Sequence, residues 1–417
     1  MVVEPLYDGA VQAKTENGLR VLIDEVPQSR SVAVGVWVRV GSRDDPADRP
    51  GMAHFIEHVA FKGTNRRDAS AISREIDAVG GHLNAATGKE STFYYAEVPA
   101  DGLGTALDLL ADLVQHPRFA PADVELERNV VLEEIRGHED DPEESAYDLF
   151  AAGLWEDGHA LSRPVLGTSD SIDGVSVDEL VAHHDRMYRP DNMIVVASGA
   201  VDTDALVDLT ERLFAPGVAN GSSPLRRSPP AFRPGVFDHD RATGQTHLYF
   251  GFRGPDAHSD DRYALEVANS ILGDGTSSRL FRTIREDRGL AYVVSSHLTA
   301  YSDAGMWLTY AGVAPRTTAE VIHLTTREFE RLRSEPIPED EFRLAKQKLR
   351  GHLILGLETN GHRAARLGAA AIQDREILSP DELFARLDRI TLDDVRRVVD
   401  EYLRPEAMNR TGVGPRA

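Results

Sequence analysis

Two histidines and a glutamate near the start of the chain have a spacing that suits metal-dependent hydrolysis. His54 and His58 stand four residues apart in the stretch GMAHFIEHVAFKGT. On a helix their imidazoles lie on one face about one turn apart, a geometry that lets both bind one zinc ion. Glu57, beside His58, is placed to hold a water molecule and to accept its proton. Four apolar residues predict the buried face of this helix: Met52, Phe55, Ile56 and Val59.

A catalytic zinc site needs a third protein ligand, and the best source is the acidic stretch ELERNVVLEEIRGHE. Glu127 and Glu134 stand seven residues apart, so on a helix they share nearly one stripe with apolar neighbours. A carboxylate on an apolar stripe needs a physical reason. Glu133 points about 100° away and is expected on a solvated face. His138, one turn beyond Glu134, is a weaker candidate ligand.

The composition limits the chemistry that the chain can perform. It has 417 residues, no cysteine, and 46 Lys+Arg against 68 Asp+Glu, for a net charge of −22. The lack of cysteine excludes disulfides, thiol nucleophiles and cysteine-ligated metals, so any metal site must use His, Asp and Glu. The negative charge argues against nucleic acid and anionic membranes as partners. Hydrophobic residues at 41% and charged residues at 27% indicate a globular protein.

Targeting and membrane signals are not evident in the sequence. Residues 1–12 include Glu4 and Asp8 and lack the basic and apolar regions of a signal peptide. No stretch approaches the roughly 20 apolar residues that cross a bilayer. A cytoplasmic location is therefore expected.

The apolar pattern predicts an α+β fold. Period-two alternation predicts strands at 19–23 and 32–40, and apolar runs predict further strands at 92–98 and 194–198. Helical patterns cover 51–62, 69–79, 102–114 and 122–139, and Gly80-Gly81 would close the second of these. The strands come in pairs between helices rather than in strict βαβ alternation, which favours α+β over a doubly wound sheet.

The sequence contains features of an internal domain duplication. The Pro-, Gly- and Ser-rich segment 215–235 is the predicted linker between domains 1–214 and 236–417. Ser176 and Thr391 each precede a short acidic helix that ends in Arg-Pro, at an offset of 215 residues, and Pro121 and Pro338 each precede a long helix. These matches predict two similar α+β domains, each with an antiparallel-rich sheet and packed helices.

The motifs resemble those of the M16 metallopeptidases, the family of pitrilysin, insulin-degrading enzyme and mitochondrial processing peptidase. His54, Glu57 and His58 match the family's inverted zinc motif, and Glu134 stands where the family has its third ligand, some 76 residues after the second histidine. Glu127 matches a carboxylate that supports the ligands. The similarity spans roughly residues 18–405. It departs from the family pattern at Val59, which replaces a larger apolar residue, and at Asp274, which interrupts a glycine run. Neither is a ligand position.

The resemblance implies one zinc ion per chain, held by His54, His58 and Glu134, with Glu57 as the general base. The stretches GDGTSSRLF and REDRGLAY resemble the family's second-domain motif. In the family an Arg and a Tyr seven residues apart help to stabilise the oxyanion, and Arg285 and Tyr292 have this spacing. Without the resemblance, a helix-end salt bridge and a core tyrosine would explain these two residues.

The stretch GGHLNAATGKESTFYY resembles the family's substrate strand. A peptide is expected to add as a strand near Asn84, Ala85, Ala86 and Thr87, with affinity from backbone hydrogen bonds. Asn84 either holds the scissile residue or caps a turn. The acidic runs at 139–144 and 256–261 either favour basic peptides or form solvated surface. His183-His184, in an amphipathic helix, are predicted to be surface or core residues.

The predicted function is that of a zinc-dependent endopeptidase that hydrolyses peptides or unfolded protein segments. The chain has half the length of large relatives that enclose substrate between two halves, so a homodimer is expected. Each composite site would combine the zinc residues of one chain with Arg285 and Tyr292 of the other. An obligate heterodimer is less favoured because this chain carries both sets. The alternative function is a non-catalytic scaffold subunit, for which a water-activating Glu57 has no use.

Overall fold

The computed structural model describes residues 2–214 and 227–415, so residues 215–226 of the predicted linker lie outside the described part. The strands are β1 Val2–Tyr7, β2 Ala10–Lys14, β3 Arg20–Glu25, β4 Ser31–Val38, β5 His82–Thr87, β6 Thr92–Pro99, β7 Met193–Gly199, β8 Gly235–Asp240, β9 Thr246–Gly254, β10 Ala291–Ala300, β11 Gly305–Val313 and β12 Asn409–Gly414.

The α-helices connect these strands. They are α1 Met52–Ala60, α2 Ala69–Ala78, α3 Leu103–Gln115, α4 Pro121–Asp140, α5 Pro142–Leu154, α6 Ser169–Asp173, α7 Val177–Met187, α8 Thr203–Phe214, α9 Asp261–Leu272, α10 Thr318–Ser334, α11 Glu339–Gly356, α12 Asn360–Ile372, α13 Pro380–Arg389 and α14 Leu392–Tyr402. Within the described ranges, none of these helices is long and apolar enough to span a membrane.

The described chain forms two compact units that interleave along the sequence. The first unit contains residues 2–136, 164–214 and 355–379, and the second contains Gly137–Arg163, Arg227–Ile354 and 380–415. This division differs from the linear one at two helices. Helix α5 packs on β9 and β12 of the second unit, and α12 packs on β4 and β7 of the first. The sequence domains 1–214 and 236–417 stay a prediction.

The sheet of the first unit has the strand order β1-β2-β3-β7-β4-β6-β5. Strands β3 and β7 are parallel, and the other neighbours are antiparallel. The valines of β4 that face one side join the buried cluster to which α1 and α3 contribute. On the other side α12 lies close to the sheet, since a Cβ on Gly368 would come within 2.3 Å of the Trp37 ring. Strand β5 is the edge strand nearest to α1.

The sheet of the second unit repeats this topology. Its order is β8-β12-β9-β11-β10, with β8 and β12 parallel and the other neighbours antiparallel. Strand for strand, this matches β3-β7-β4-β6-β5 in order and direction. The predicted N-caps of the repeat are also present, because Ser176 and Thr391 each form a capping box at the start of α7 and α14. The prediction of an α+β fold with two similar domains is confirmed.

Candidate metal centre

A buried carboxylate fixes the start of α1, the helix that carries the two histidines. The carboxylate of Asp45 accepts hydrogen bonds from the backbone N–H groups of Gly51 (2.8 Å) and Ala53 (2.9 Å). Gly51 has φ of 92°, and a Cβ there would lie 2.4 Å from the carbonyl oxygen of Leu166, so only glycine fits. Asp45 stands six residues before Gly51 in the sequence, outside any helix-cap pattern, so no local signal predicted this contact.

The structure brings His54, His58 and Glu134 together. Each contributes one potential ligand atom, and the three atoms lie within 4.8 Å of one another. Both histidines direct Nε2 to the same oxygen, since Glu134 Oε2 is 3.7 Å from His54 Nε2 and 3.3 Å from His58 Nε2. The four-residue spacing on α1 stacks the two rings with centroids 4.6 Å apart. Two imidazole nitrogens and one carboxylate oxygen are the donor set of a catalytic zinc site with an open fourth position.

The protonation preferences of the two histidines differ. Burial, followed by the neighbouring His58, lowers the pKa of His54 to about 4, which favours the neutral imidazole that metals bind. Burial acts to lower the pKa of His58 as well, but hydrogen bonds to Glu134 and Glu127 outweigh it and raise this pKa above its ordinary value. The carboxylates around His58 are thus matched to a positive charge at this position, which a bound cation would also supply.

Glu127 contacts His58 at Nδ1, the ring nitrogen that does not face Glu134. Its side chain is buried, and Oε2 lies 3.1 Å from His58 Nδ1. Its other oxygen, Oε1, lies 2.5 Å from Lys62 Nζ. When Nδ1–H of His58 donates to Glu127, the lone pair of Nε2 points toward Glu134 and His54. The sequence pattern pointed to Glu127 but missed Lys62, which stands one turn beyond His58.

Glu57 lies next to the cluster and contacts the edge strand. The hydroxyl of Thr87, the last residue of β5, is 2.5 Å from Glu57 Oε2. Burial raises the pKa of Glu57, although the hydrogen bond from Thr87 and the nearby His58 oppose this effect. A carboxylate with a raised pKa beside three candidate metal ligands suits a group that takes up and releases a proton.

The strand β5 divides its predicted substrate residues between two faces. Side chains alternate along a strand, so Thr87 and Ala85 share the face toward Glu57 and the core, while Asn84 and Ala86 share the opposite face. Asn84 lies inside the strand, so the interpretation of a turn cap is wrong. Its Oδ1 accepts a hydrogen bond from the N–H of Ala85. Substrate binding by these four residues stays a prediction.

Arg285 and Tyr292 belong to the second unit, where they contact each other. Arg285 lies in a π-helical turn, Phe281–Glu286, and its guanidinium carbon is 4.8 Å from the ring centroid of Phe281 and 5.0 Å from that of Tyr292. Tyr292 is 75% exposed, so the interpretation of a core tyrosine is wrong. Single π-helical turns occur frequently at functional sites. Phe281, the second ring on Arg285, was not predicted.

Two weaker candidates lie outside the metal cluster. Glu133 is exposed and forms an ion pair with Arg136 on the same helix. His138 is held between two other carboxylates, with Nδ1 2.9 Å from Glu144 and Nε2 2.7 Å from Asp148. Glu133 therefore lies on the solvated face that the sequence predicted, and His138, the weaker candidate ligand, contacts carboxylates other than Glu134.

Sequence comparisons relate both halves of the chain to one group of proteins. Residues 20–169 match the profile described as Insulinase (Peptidase family M16), and residues 174–349 match that described as Peptidase M16 inactive domain. An uncharacterized zinc protease of Mycobacterium leprae is 41% identical over 95% of this chain and 89% of its own length. The uncharacterized zinc protease YmxG of Bacillus subtilis is 33% identical over 91% of this chain and 92% of its own length.

Solved structures show the same fold. A peptidase M16 inactive domain from Pseudomonas fluorescens superposes with a TM-score of 0.91 at 20% identity and covers 100% of this chain and 99% of its own. A protease from Helicobacter pylori superposes with a TM-score of 0.90 at 23% identity, over 97% of this chain and 99% of its own.

Proposed function

This chain belongs to peptidase family M16, the insulinase family, and we propose that it is a zinc-dependent endopeptidase that hydrolyses peptides or unfolded protein segments. The observation that carries the proposal is the convergence of ligand atoms from His54, His58 and Glu134 within 4.8 Å, with Glu57 close enough to interact electrostatically with His58 and Glu134. Relatives of similar length are named zinc proteases, which supports zinc as the metal.

In the proposed mechanism His54, His58 and Glu134 would hold the zinc ion, the histidines through Nε2 and Glu134 through a carboxylate oxygen. When bound, zinc supplies a Lewis acid that polarises a carbonyl oxygen and makes water more acidic. Glu127 fixes His58 in the tautomer whose Nε2 lone pair is free for a metal. Asp45 holds the first turn of α1 and with it the position of His54.

Glu57 is the proposed general base. One oxygen of its carboxylate accepts the proton of the attacking water, and the same group then donates this proton to the leaving amine. The raised pKa of Glu57, caused by its burial, supports this exchange because the carboxylate binds a proton more readily than an exposed one.

The proposed substrate site is the free edge of β5. This strand ends the sheet of the first unit, among the described residues, and its Thr87 touches Glu57. A peptide that adds as an antiparallel or parallel strand would gain backbone hydrogen bonds with little demand on its sequence. That property suits an enzyme that selects unfolded segments.

Arg285 and Tyr292 are the proposed oxyanion-stabilising pair, and the proposed assembly is a homodimer. The exposed Tyr292 and the guanidinium that stacks on it can donate hydrogen bonds to a developing negative charge. In the proposed homodimer these two groups complete the site of the partner chain. The presence of both residue sets in one chain supports two like sites rather than a division between unlike subunits.

The test measures zinc content and cleavage on the same preparation. The purified protein is expected to contain about one zinc per chain and to cleave an unstructured fluorogenic peptide. Glu57→Gln should retain zinc and lose at least about a hundredfold in kcat, because the amide accepts no proton. Glu133→Gln, an exposed change on α4, is the matched control and should behave as wild type. A protein that binds no added zinc, or a fully active Glu57→Gln variant, would refute the proposal.

A scaffold subunit is the second candidate, because the profile that matches residues 174–349 and the Pseudomonas fluorescens structure are both described as inactive domains. A scaffold requires neither a half-buried Glu57 next to three converging ligand atoms nor a base whose pKa is raised. Stoichiometric zinc without cleavage of any member of a random peptide library would favour this second candidate.

A further inference from the structure

The contact between Thr87 and Glu57 joins the last residue of the edge strand to the proposed general base. Thr87 Oγ1 lies 2.5 Å from Glu57 Oε2, and 3.3 Å from the hydroxyl of Thr92 on the neighbouring strand. Thr92 is fully buried, and its hydroxyl donates to the carbonyl oxygen of Val40 at 2.9 Å.

The single hydrogen on each hydroxyl determines the direction of these bonds. Thr92 uses its hydrogen for Val40, so it has none to give to Thr87. The hydrogen of Thr87 is therefore available to Glu57, whose ionised carboxylate is a stronger and closer acceptor than the Thr92 hydroxyl. Thr87 thus donates a charge-assisted hydrogen bond to one oxygen of Glu57 and restricts the rotation of that carboxylate.

The second unit provides an internal comparison. In the first unit Thr87 and Thr92 are the last cross-strand pair before the β5–β6 loop. In the second unit the last pair before the β10–β11 loop, which has the same length, is Ala300 and Gly305. The hairpin therefore forms without either hydroxyl. The hydroxyl pair is present in the unit that also holds Glu57 and the cluster of His54, His58 and Glu134.

We propose that Thr87 is a positioning residue that orients the Glu57 carboxylate for proton transfer and couples this orientation to the strand where the peptide adds. This inference rests on the proposed function. A peptide on the free edge of β5 would restrict the motion of the strand that ends at Thr87. Through the hydrogen bond, the Glu57 carboxylate would then be restricted as well. Thr87 acts only through Glu57, so its hydroxyl affects kcat more than peptide affinity or zinc affinity.

The experiment compares variants that keep or remove the hydroxyl. Thr87→Val and Thr87→Ala should lower kcat about tenfold to a hundredfold, as expected for the loss of one hydrogen bond to a charged group. KM for the unstructured peptide and the zinc stoichiometry should stay within about twofold of wild type, and Thr87→Ser should restore most of kcat. The Ala variant is expected to fold because Ala300 occupies the matching position in the second unit.

A double-mutant cycle separates positioning from a general structural effect. Glu57→Asp shortens the base so that Thr87 cannot reach it, and adding Thr87→Val to this variant should cause less than about a twofold further loss. Full kcat in Thr87→Val and Thr87→Ala, failure of Thr87→Ser to restore kcat, or additive losses in the cycle would each overturn the inference. An inactive wild type or an active Glu57→Gln variant would instead refute the proposed function, so the two failures are distinguishable.

Discussion

The Nδ1 atom of His58 lies 3.1 Å from Glu127 Oε2, while its Nε2 atom lies 3.3 Å from Glu134 Oε2. One imidazole therefore bridges two carboxylates of α4 that stand seven residues apart on the helix. Because Glu127 accepts the Nδ1 hydrogen, it determines which nitrogen can bind a metal. Lys62 Nζ, 2.5 Å from the other Glu127 oxygen, holds that carboxylate in place through an ion pair.

Removing the Glu127 carboxylate should weaken metal binding without removing a ligand. In Glu127→Ala both tautomers of His58 become accessible and the ring loses its support, so zinc affinity should fall about 10–100-fold. Competition with a fluorescent zinc chelator measures this change. Glu133→Ala, on the same helix but exposed and paired with Arg136, is the control and should leave affinity unchanged. Equal zinc affinity in the Glu127 and Glu133 variants would show that the contact between Glu127 and His58 does not contribute to zinc binding.

Asp45→Ala should destabilise the first unit through the start of α1. Two buried N–H groups, those of Gly51 and Ala53, would lose their acceptor, at a cost of about 2–4 kcal/mol in the free energy of unfolding. Urea unfolding followed by circular dichroism measures the cost. Asp48→Ala, an exposed change in the same loop, should cost less than about 0.5 kcal/mol. An equal effect of the two changes would exclude the proposed anchoring of α1.

The local features of the fold and site were predictable because they depend on short sequence spacings. The four-residue spacing of His54 and His58 and the seven-residue spacing of Glu127 and Glu134 each require only a helix. Strand alternation predicted β4, and the repeated Ser/Thr caps predicted α7 and α14.

The unpredicted features depend on contacts between distant segments. Asp45 reaches α1 because the loop between them folds back, and Thr87 meets Glu57 because α1 lies against β5. The apolar faces of α5 and α12 indicate that each helix packs on a sheet, but not which sheet. For that reason the sequence did not predict that α5, from the N-terminal half of the chain, belongs to the second unit, and that α12, from the C-terminal half, belongs to the first.

Acid should destabilise the protein through His183, a buried histidine of α7. Burial, followed by the charge of Arg186 and by His184, lowers the pKa of His183 to about 4, and Arg186 donates to its Nδ1 at 2.9 Å. In the unfolded chain this histidine has a pKa near 6.5, so between about pH 6.5 and pH 4 it binds a proton that the folded protein does not bind. The free energy of unfolding is therefore highest above about pH 6.5 and falls as the pH decreases toward 4, by about 2 kcal/mol at pH 5.

Urea unfolding at pH 7 and pH 5 measures this effect. His183→Gln removes the titrating group but keeps an acceptor for Arg186, so its stability should change about 2 kcal/mol less than that of wild type between these pH values. His352→Gln, at an exposed position of α11, should keep the wild-type pH dependence. An unchanged pH dependence in His183→Gln would exclude His183 as the source.

Mixing two variants that are each expected to lower activity, Glu57→Gln and Tyr292→Phe, tests the composite site of the proposed homodimer. Glu57→Gln removes the base but leaves Arg285 and Tyr292 intact, whereas Tyr292→Phe removes one hydroxyl but leaves the metal cluster intact. If each site combines two chains, a mixed dimer has one site with both changes and one site with neither. Equal mixing with free exchange makes about half of the dimers mixed, so about a quarter of wild-type activity should return.

The control mixes Glu57→Gln with Glu127→Ala, because both changes affect the first unit, which carries the proposed metal site. In that mixture every site contains one of the two defects, whichever chain supplies Arg285 and Tyr292, so no activity beyond the mean of the two separate variants should return. Recovery with Tyr292→Phe but not with Glu127→Ala supports sites shared between chains. Exchange is verified by mass spectrometry of native dimers, and absence of recovery in verified mixed dimers means that Glu57 and Tyr292 act within one chain.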